Sequence, residues 1–293
     1  SLALIVGVGL PLFLQLGGRG LNEPDEGRYA EMGREMMASG DWLVPRLEGV
    51  PHYAKPPWIY WSIAASFKLF GINEGAARLP SALAGITAAL TVFALGRRMG
   101  GAMAGLLAAL ALSSSRLFFS VARLITPDMT LTAANTFALF FFGRGRTPAP
   151  ETRAAARRWL LGFFVTLGLV FLDKGPVALV VCALTAGGFF LMTRQPRGFL
   201  KMRWLRGLLI VLAIALPWFL LMARLNPDLY DFYLGGEIRD RMISGRGRTK
   251  VWYYFFIILP LACWPWTALA WSAARAHGRR WRAGGEASAL LLA

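Results

Sequence analysis

An all-α membrane protein, a bundle of several spanning helices with amphipathic helices in its first long loop, is the fold class this sequence predicts. Three observations lead there. The 293 residues are 56% hydrophobic and only 16% charged, with a mean hydropathy of +0.49, whereas soluble domains run near 45–50% apolar and about 25% charged. Apolar runs close to the length of a spanning helix recur along the whole chain. Between those runs, basic residues gather in short segments almost free of acids.

The runs that qualify as spans are 2–18, 78–96, 99–115, 129–143, 159–172, 176–193, 207–223 and 252–272. Several fall short of the usual ~20 residues, which a locally thinned bilayer accommodates. Alternating them from a cytoplasmic start places Arg97-Arg98, 144–158, 194–206 and 274–282 on one side, with 16 of the 32 Lys+Arg and a single acid, Glu151. Such short basic segments belong in the cytoplasm. The opposite face then holds 14 of the 16 acids. The net charge of +16 is therefore topological and no footprint for nucleic acid, because the arginines punctuate apolar runs and form no continuous basic face. Cys182 and Cys263 lie inside apolar runs and read as buried small hydrophobes, not as a disulfide or a metal site.

The stretch 19–77 is too polar to lie exposed to lipid at membrane depth, so it sits at the outer interface. In Glu26-Gly27-Arg28-Tyr29-Ala30-Glu31-Met32-Gly33-Arg34-Glu35-Met36-Met37, charges fall on one side and Tyr29, Met32 and Met36 on the other, an amphipathic helix. Ser39-Gly40-Asp41 ends it. Pro56-Pro57 opens a second helix, Trp58 to Phe70, closed by Gly71; it is too short to span, and its aromatic residues suit the headgroup boundary.

Ionisable residues at the ends of spans are candidates for function, and three outer turns carry acids. Asp25 and Glu26, in Asn22-Glu23-Pro24-Asp25-Glu26, can cap the helix they open. Alternatively, one of them faces a cavity as a base, or partners a phosphate-bearing substrate through a neighbouring cation. Asp128, in Arg123-Leu124-Ile125-Thr126-Pro127-Asp128, can likewise cap the helix that follows, while Arg123 can anchor among headgroups. Asp173-Lys174-Gly175-Pro176 forms the third turn. Lys55, in His52-Tyr53-Ala54-Lys55-Pro56-Pro57, either snorkels or binds an anionic headgroup. Arg239 and Arg241, followed by Arg246-Gly247-Arg248-Thr249-Lys250, make the last outer loop suited to a phosphate or pyrophosphate.

Taken in order, these residues resemble the bacterial aminoarabinose transferases, membrane glycosyltransferases that use a polyprenyl-phosphate sugar and are similar to protein O-mannosyltransferases. The likeness runs through NEPDEGRYAEMGREMMASGDWLVPRLEGVPHYAKPPWIYW, SFKLFGINEGAARLPSALAG, RLITPDMTL, FLDKGPVALV and YYFFIILPLACWPW, and so covers essentially the whole chain. It implies a GT-C membrane fold in a bacterial inner membrane, with a cavity open to the outer, periplasmic leaflet. There a sugar passes from a polyprenyl (undecaprenyl) phosphate donor to an acceptor, with aminoarabinose modification of lipid A as the family's reaction and transfer to a protein, glycan or other lipid as the alternative. Implied partners are the donor, a lipid or glycan acceptor and membrane lipids; no cofactor and no nucleic acid is implied. The family continues into further spans and a soluble outer domain, so 1–293 reads as the transmembrane domain of a longer chain trimmed at both ends.

Carried over by position, the resemblance makes Asp25 the catalytic carboxylate and Asp128 the second acid. Glu26, Arg28 and Tyr29 match its neighbours, Lys55 the phosphate-contacting lysine, and Lys174-Gly175 the family's Lys-Gly pair. Members often carry Glu before that lysine and His in the last outer loop, where a divalent metal can bind. Here Ala54 and a set of arginines with Lys250 replace them, and His52 alone is a weak ligand set, so no bound metal is expected. Loss of polyprenyl phosphate leaves negative charge for Lys55 and an arginine of 239–248 to stabilise, Asp25 takes the acceptor proton, and a single displacement inverts the anomeric centre. A transporter of polyprenyl-linked sugars is the reading from another class. It calls for charges near the midplane and paired broken helices, whereas these ionisable groups gather at span ends.

Overall fold

The computed structural model describes residues 5–146, 153–192, 199, 202–227 and 253–282. A π-helical turn, Ile5–Gly9, leads into α1 (Leu10–Phe13), followed by α2 (Asp25–Ser39), a two-strand hairpin β1 (Arg46–Leu47) and β2 (Val50–Pro51), and α3 (Trp58–Phe70). Then come α4 (Glu74–Ser114), α5 (Arg116–Ala122), α6 (Pro127–Arg146), α7 (Arg153–Lys174), α8 (Pro176–Met192), α9 (Trp204–Leu225), α10 (Tyr254–Ala262) and α11 (Thr267–Arg282). Glu74–Ser114, Ala154–Lys174 and Trp204–Leu225 are long and apolar enough to cross a membrane.

The 41 residues of α4 are two arms folded back on each other. Gly100 and Gly101 leave helical geometry, Gly101 at a φ of 84°, two residues beyond the Arg97-Arg98 turn. A Cβ on Gly105 would stand 2.5 Å from the Phe93 carbonyl oxygen, and one on Gly96 2.8 Å from the Gly105 Cα. Glycines at both positions let the two backbones touch, the small-residue packing that brings helices together in lipid. Gly105→Ala should therefore wedge the arms apart and cost about 1–3 kcal/mol, measured as a lower midpoint in a mixed-micelle unfolding titration.

Elsewhere the apolar runs are less regular than straight spans. The first leaves helical geometry after Phe13, and Gln15 takes a left-handed φ of 52°. The run 252–272 is not one helix either: α10 and Thr267–Ala276 meet at 106°. Pro265 has no N–H for a helical bond and disfavours helical geometry in the residue before it, so the chain turns there. The turn is pinned where Arg116 N donates to the Trp264 carbonyl (3.0 Å) and Trp266 Nε1 to Ser114 Oγ (2.9 Å). Cys182 is buried as expected, but Cys263, at this bend, is only half-buried.

The two loop helices have the expected bounds, with Gly40 and Gly71 at positive φ as their stops. Much of the apolar content of α3 serves a core and not a membrane surface: Ile59, Tyr60, Ile63 and Phe67 pack against Tyr29, Met32 and Met36 of α2. The segment between them is strapped to the bundle. Asp41 Oδ1 accepts the N–H groups of Leu43 (3.0 Å) and Val44 (3.1 Å), and Glu35 accepts those of Glu48 and Gly49 in the hairpin. Trp218 Nε1 of α9 donates to the Leu43 carbonyl (3.0 Å), and the Tyr53 hydroxyl to Asn226 Oδ1 (3.2 Å). Those ties hold the segment carrying His52 and Lys55 over one end of α9.

Candidate active site

A buried ion pair organises the site. Arg78, at 0% exposure, meets Glu26, at 3%, through two parallel 2.9 Å hydrogen bonds, Nε to Oε1 and Nη2 to Oε2. Its three remaining N–H donors go to the carbonyls of Leu16 (3.0 Å), Arg19 (2.9 Å) and Gly20 (2.8 Å). All five guanidinium donors are thus used, and the unwinding after Phe13 is what frees those carbonyls. Glu26 is equally saturated, accepting the N–H groups of Asn22 (2.9 Å) and Ile125 (3.0 Å) as well. Burial pushes its carboxyl up, but Arg78 and the two backbone donors outweigh it and hold the pKa below the ordinary 4.5.

Glu26 was expected to touch substrate; its geometry makes it a clamp instead, with both oxygens taken inside the protein. The sequence held the signal, because Glu26 falls on the stripe of Tyr29, Ala30, Gly33 and Met36 at helical spacing. Since the folded pKa is depressed, this carboxylate stabilises the fold above the unfolded value of 4.5 and ceases to as pH falls through its folded value. Thermal midpoints should hold from neutral pH to about pH 5 and fall below it. Glu26→Gln should be less stable at neutral pH and show a shallower acid drop.

The clamp fixes both expected catalytic acids. Asp25 precedes Glu26 at the start of α2, with its side chain 60% exposed and bridged at 2.8 Å to Arg28 Nη2. Ile125, held by Glu26, lies three residues before Asp128, which opens α6 with its side chain 58% exposed. Each acid thus stands at a helix N-terminus, where its charge is favoured. Lys174, ending α7, pairs with Asp128, and Thr126 Oγ1 donates to the other Asp128 oxygen (3.1 Å).

The Tyr29 phenol lies within electrostatic reach of both acids. Burial raises its pKa, Arg28 lowers it, and Asp25 and Asp128 both raise it again, so all three charges reach one phenol. Arg28 lies 5.3 Å from the Tyr29 ring centroid, and its Nε is buried with no acceptor among the described residues. The Lys55 charge acts on both Asp128 and Asp173. His52 is held neutral first by burial and then by the Arg28 charge, which lower its pKa from 6.5. The structure therefore brings Asp25, Arg28, Tyr29, Lys55, Asp128 and Lys174 to one end of the bundle. Arg239 and Arg241 lie outside the described residues.

Sequence reasoning missed Arg78, Thr126 and Thr130. Arg78 stood in plain view as a charge at the edge of an apolar run. The hydroxyls carry no distinguishing pattern. Arg123, read as a headgroup anchor, instead donates to the Pro11 carbonyl at 2.7 Å.

Residues 54–220 match the family described as dolichyl-phosphate-mannose-protein mannosyltransferase. An undecaprenyl phosphate-alpha-4-amino-4-deoxy-L-arabinose arabinosyl transferase of Sodalis glossinidius is 35% identical over 96% of this chain and 50% of its own length. Its counterpart from Shewanella sediminis is 32% identical over 100% of this chain and 54% of its own. The chain thus spans about half the length of the curated relatives it matches. The crystal structure of ArnT from Cupriavidus metallidurans bound to undecaprenyl phosphate superposes with a TM-score of 0.86 at 32% identity, over 94% of this chain and 51% of that one. With this family match, these relatives and this superposition, the chain belongs to the dolichyl-phosphate-mannose-protein mannosyltransferase family, is similar to the bacterial aminoarabinose transferases, and has the GT-C membrane fold.

Proposed function

We propose that this chain forms the membrane half of a glycosyltransferase that moves a sugar from a polyprenyl phosphate donor, of the undecaprenyl type, to a lipid or glycan acceptor at the outer face of a bacterial inner membrane. One observation carries the reading: Arg28, Lys55 and Lys174 stand with Asp25 and Asp128 at one end of an apolar bundle, and the buried Arg28 Nε lacks an acceptor among the described residues. Cations gathered beside carboxylates suit a reaction in which a phosphate departs while a hydroxyl loses its proton.

In this reading Arg28 and Lys55 hold the donor phosphate, with Arg239 and Arg241 contributing from the last outer loop. The acceptor oxygen attacks the anomeric carbon as the bond from that carbon to the phosphate oxygen breaks. Asp25 receives the proton, and the phosphate leaves with the electron pair. Asp128 is held in its ion pair with Lys174, and the Tyr29 phenol lies within reach of the charge of both carboxylates. One displacement inverts the anomeric centre. Aminoarabinose, the sugar in the names of the similar transferases, and lipid A, the acceptor that the sequence resemblance implies, are the first pair to try.

The test is transfer in nanodiscs from undecaprenyl phosphate aminoarabinose, with products read by mass spectrometry. Wild type should transfer, and Lys55→Ala should lose about 10²–10³ in kcat/KM, the scale of removing one group that stabilises developing charge. Full activity in Lys55→Ala would remove the lysine from the site; no transfer with any polyprenyl phosphate sugar would remove the function.

A further inference from the structure

Three helices reach the candidate site at one end and carry arginines at the other. Asp128 opens α6, Lys174 ends α7, and Asn226, just past α9, accepts from the Tyr53 hydroxyl. At the far ends stand Arg144 on α6, Arg157 and Arg158 on α7, and Arg203 and Arg206 at the start of α9. The helix from Asp128 to Arg144, like that from Arg158 to Lys174, rises about 24 Å. Against a ~30 Å hydrocarbon core, that puts these arginines at the level of the opposite leaflet from the reaction. The ends adjoin one another: a Cβ on Gly145 would stand 3.5 Å from the Trp159 Cβ, and the Trp204 ring meets Phe164 edge-on at 5.8 Å.

No carboxylate answers this charge among the described residues, whose ion pairs all lie in the first loop or at the site end. Helix dipoles sharpen the imbalance. A helix N-terminus is a positive end and favours acids, and α2, α4 and α6 open on Asp25 and Glu26, on Glu74 and on Asp128. By contrast, α7 and α9 have no acid in their first turns, and α9 starts from Arg203, at a left-handed φ of 57° and with no side-chain cap. Arginines beside positive helix ends repel them, and an anion seated between relieves both. Membrane insertion needs only the charges of such residues. Arg144 has more than charge: it is half-buried, its guanidinium carbon lies 4.5 Å from the Trp159 ring centroid, and its Nε is buried with no acceptor among the described residues. A stacked guanidinium is oriented in advance for a phosphate.

We propose that Arg144, stacked on Trp159, forms with Arg157, Arg158, Arg203 and Arg206 a binding site for an anionic phospholipid of the leaflet opposite the reaction. Five cations spread over three helix ends match a headgroup with two phosphates, of the cardiolipin type, better than one with a single phosphate. The experiment is native mass spectrometry of the protein from mixed micelles holding cardiolipin or phosphatidylglycerol at equal phosphate. Cardiolipin should be retained about tenfold more, the scale of one further hydrogen bond to a charged group. Arg144→Lys keeps the charge, and with it the insertion signal, but loses the planar fork; it should lose most of that preference. Arg116→Gln, which removes an exposed arginine from α5, should leave it unchanged. Equal retention of the two lipids, wild-type preference in Arg144→Lys, or an equal loss in Arg116→Gln would each overturn the proposal. So would displacement of the lipid by inorganic phosphate beyond the effect of chloride at the same ionic strength, which would make the ligand a free anion.

Discussion

Arg78→Lys should lose about 3–5 kcal/mol of stability, the range for breaking a buried ion pair by disabling one partner. The substitution keeps the charge, so the loss measures geometry. Arg78 supplies five donors in one plane, two to Glu26 and three to the carbonyls of Leu16, Arg19 and Gly20. An ammonium has three donors and no planar fork, and at least two of these acceptors must go without. Arg78→Met should be worse, since it strands a buried carboxylate with only the N–H groups of Asn22 and Ile125. Adding Glu26→Gln to Arg78→Met should recover part of that loss, because the two residues act as a unit. It should not restore wild type, as the three carbonyls stay orphaned. Unfolding titrations in mixed micelles give all four values; strict additivity of the two single losses would mean that the pair is not coupled.

The same substitution reaches the chemistry. Glu26 adjoins Asp25 and binds the backbone leading to Asp128, so loosening the clamp lets both acids drift. Misplacement by about 1 Å can cost ~100-fold in rate. The clamp was also the least legible part of the site in the sequence. Helical spacing predicted α2 and α3 within a residue, and Gly40 and Gly71 marked their ends, because local backbone preferences decide those features. Arg97-Arg98 likewise flagged the turn near which α4 reverses. What Arg78 binds is decided by residues 52 to 62 positions away in the chain, and no local pattern announces such a contact. Glu26 was misjudged because its charge was weighed above its register. Asp25 and Glu26 are adjacent and chemically alike, yet about 100° of helical rotation leaves one exposed and sends the other to the core.

That divergence sets the expectation for Asp25→Asn: a fall of about 10²–10⁴ in kcat, the usual weight of a general base, with KM for the donor changed by only a few fold. Asparagine keeps the shape of the side chain and can still accept from Arg28 through its oxygen, so the cation proposed to hold the phosphate stays in place. What it cannot do is take a proton. A loss confined to kcat and kcat/KM marks an interaction made only in the transition state, whereas a rise in KM alone would make Asp25 a positioning group for Arg28. Asp128 should behave differently, because its partner Lys174 holds it in an ion pair. Asp128→Asn frees that lysine from its ion pair, and Asp128→Asn with Lys174→Met together should be no worse than the poorer single variant. If Asp25→Asn transfers at the wild-type rate while Asp128→Asn is dead, the base is Asp128, and its lysine must then move away before it can accept the proton.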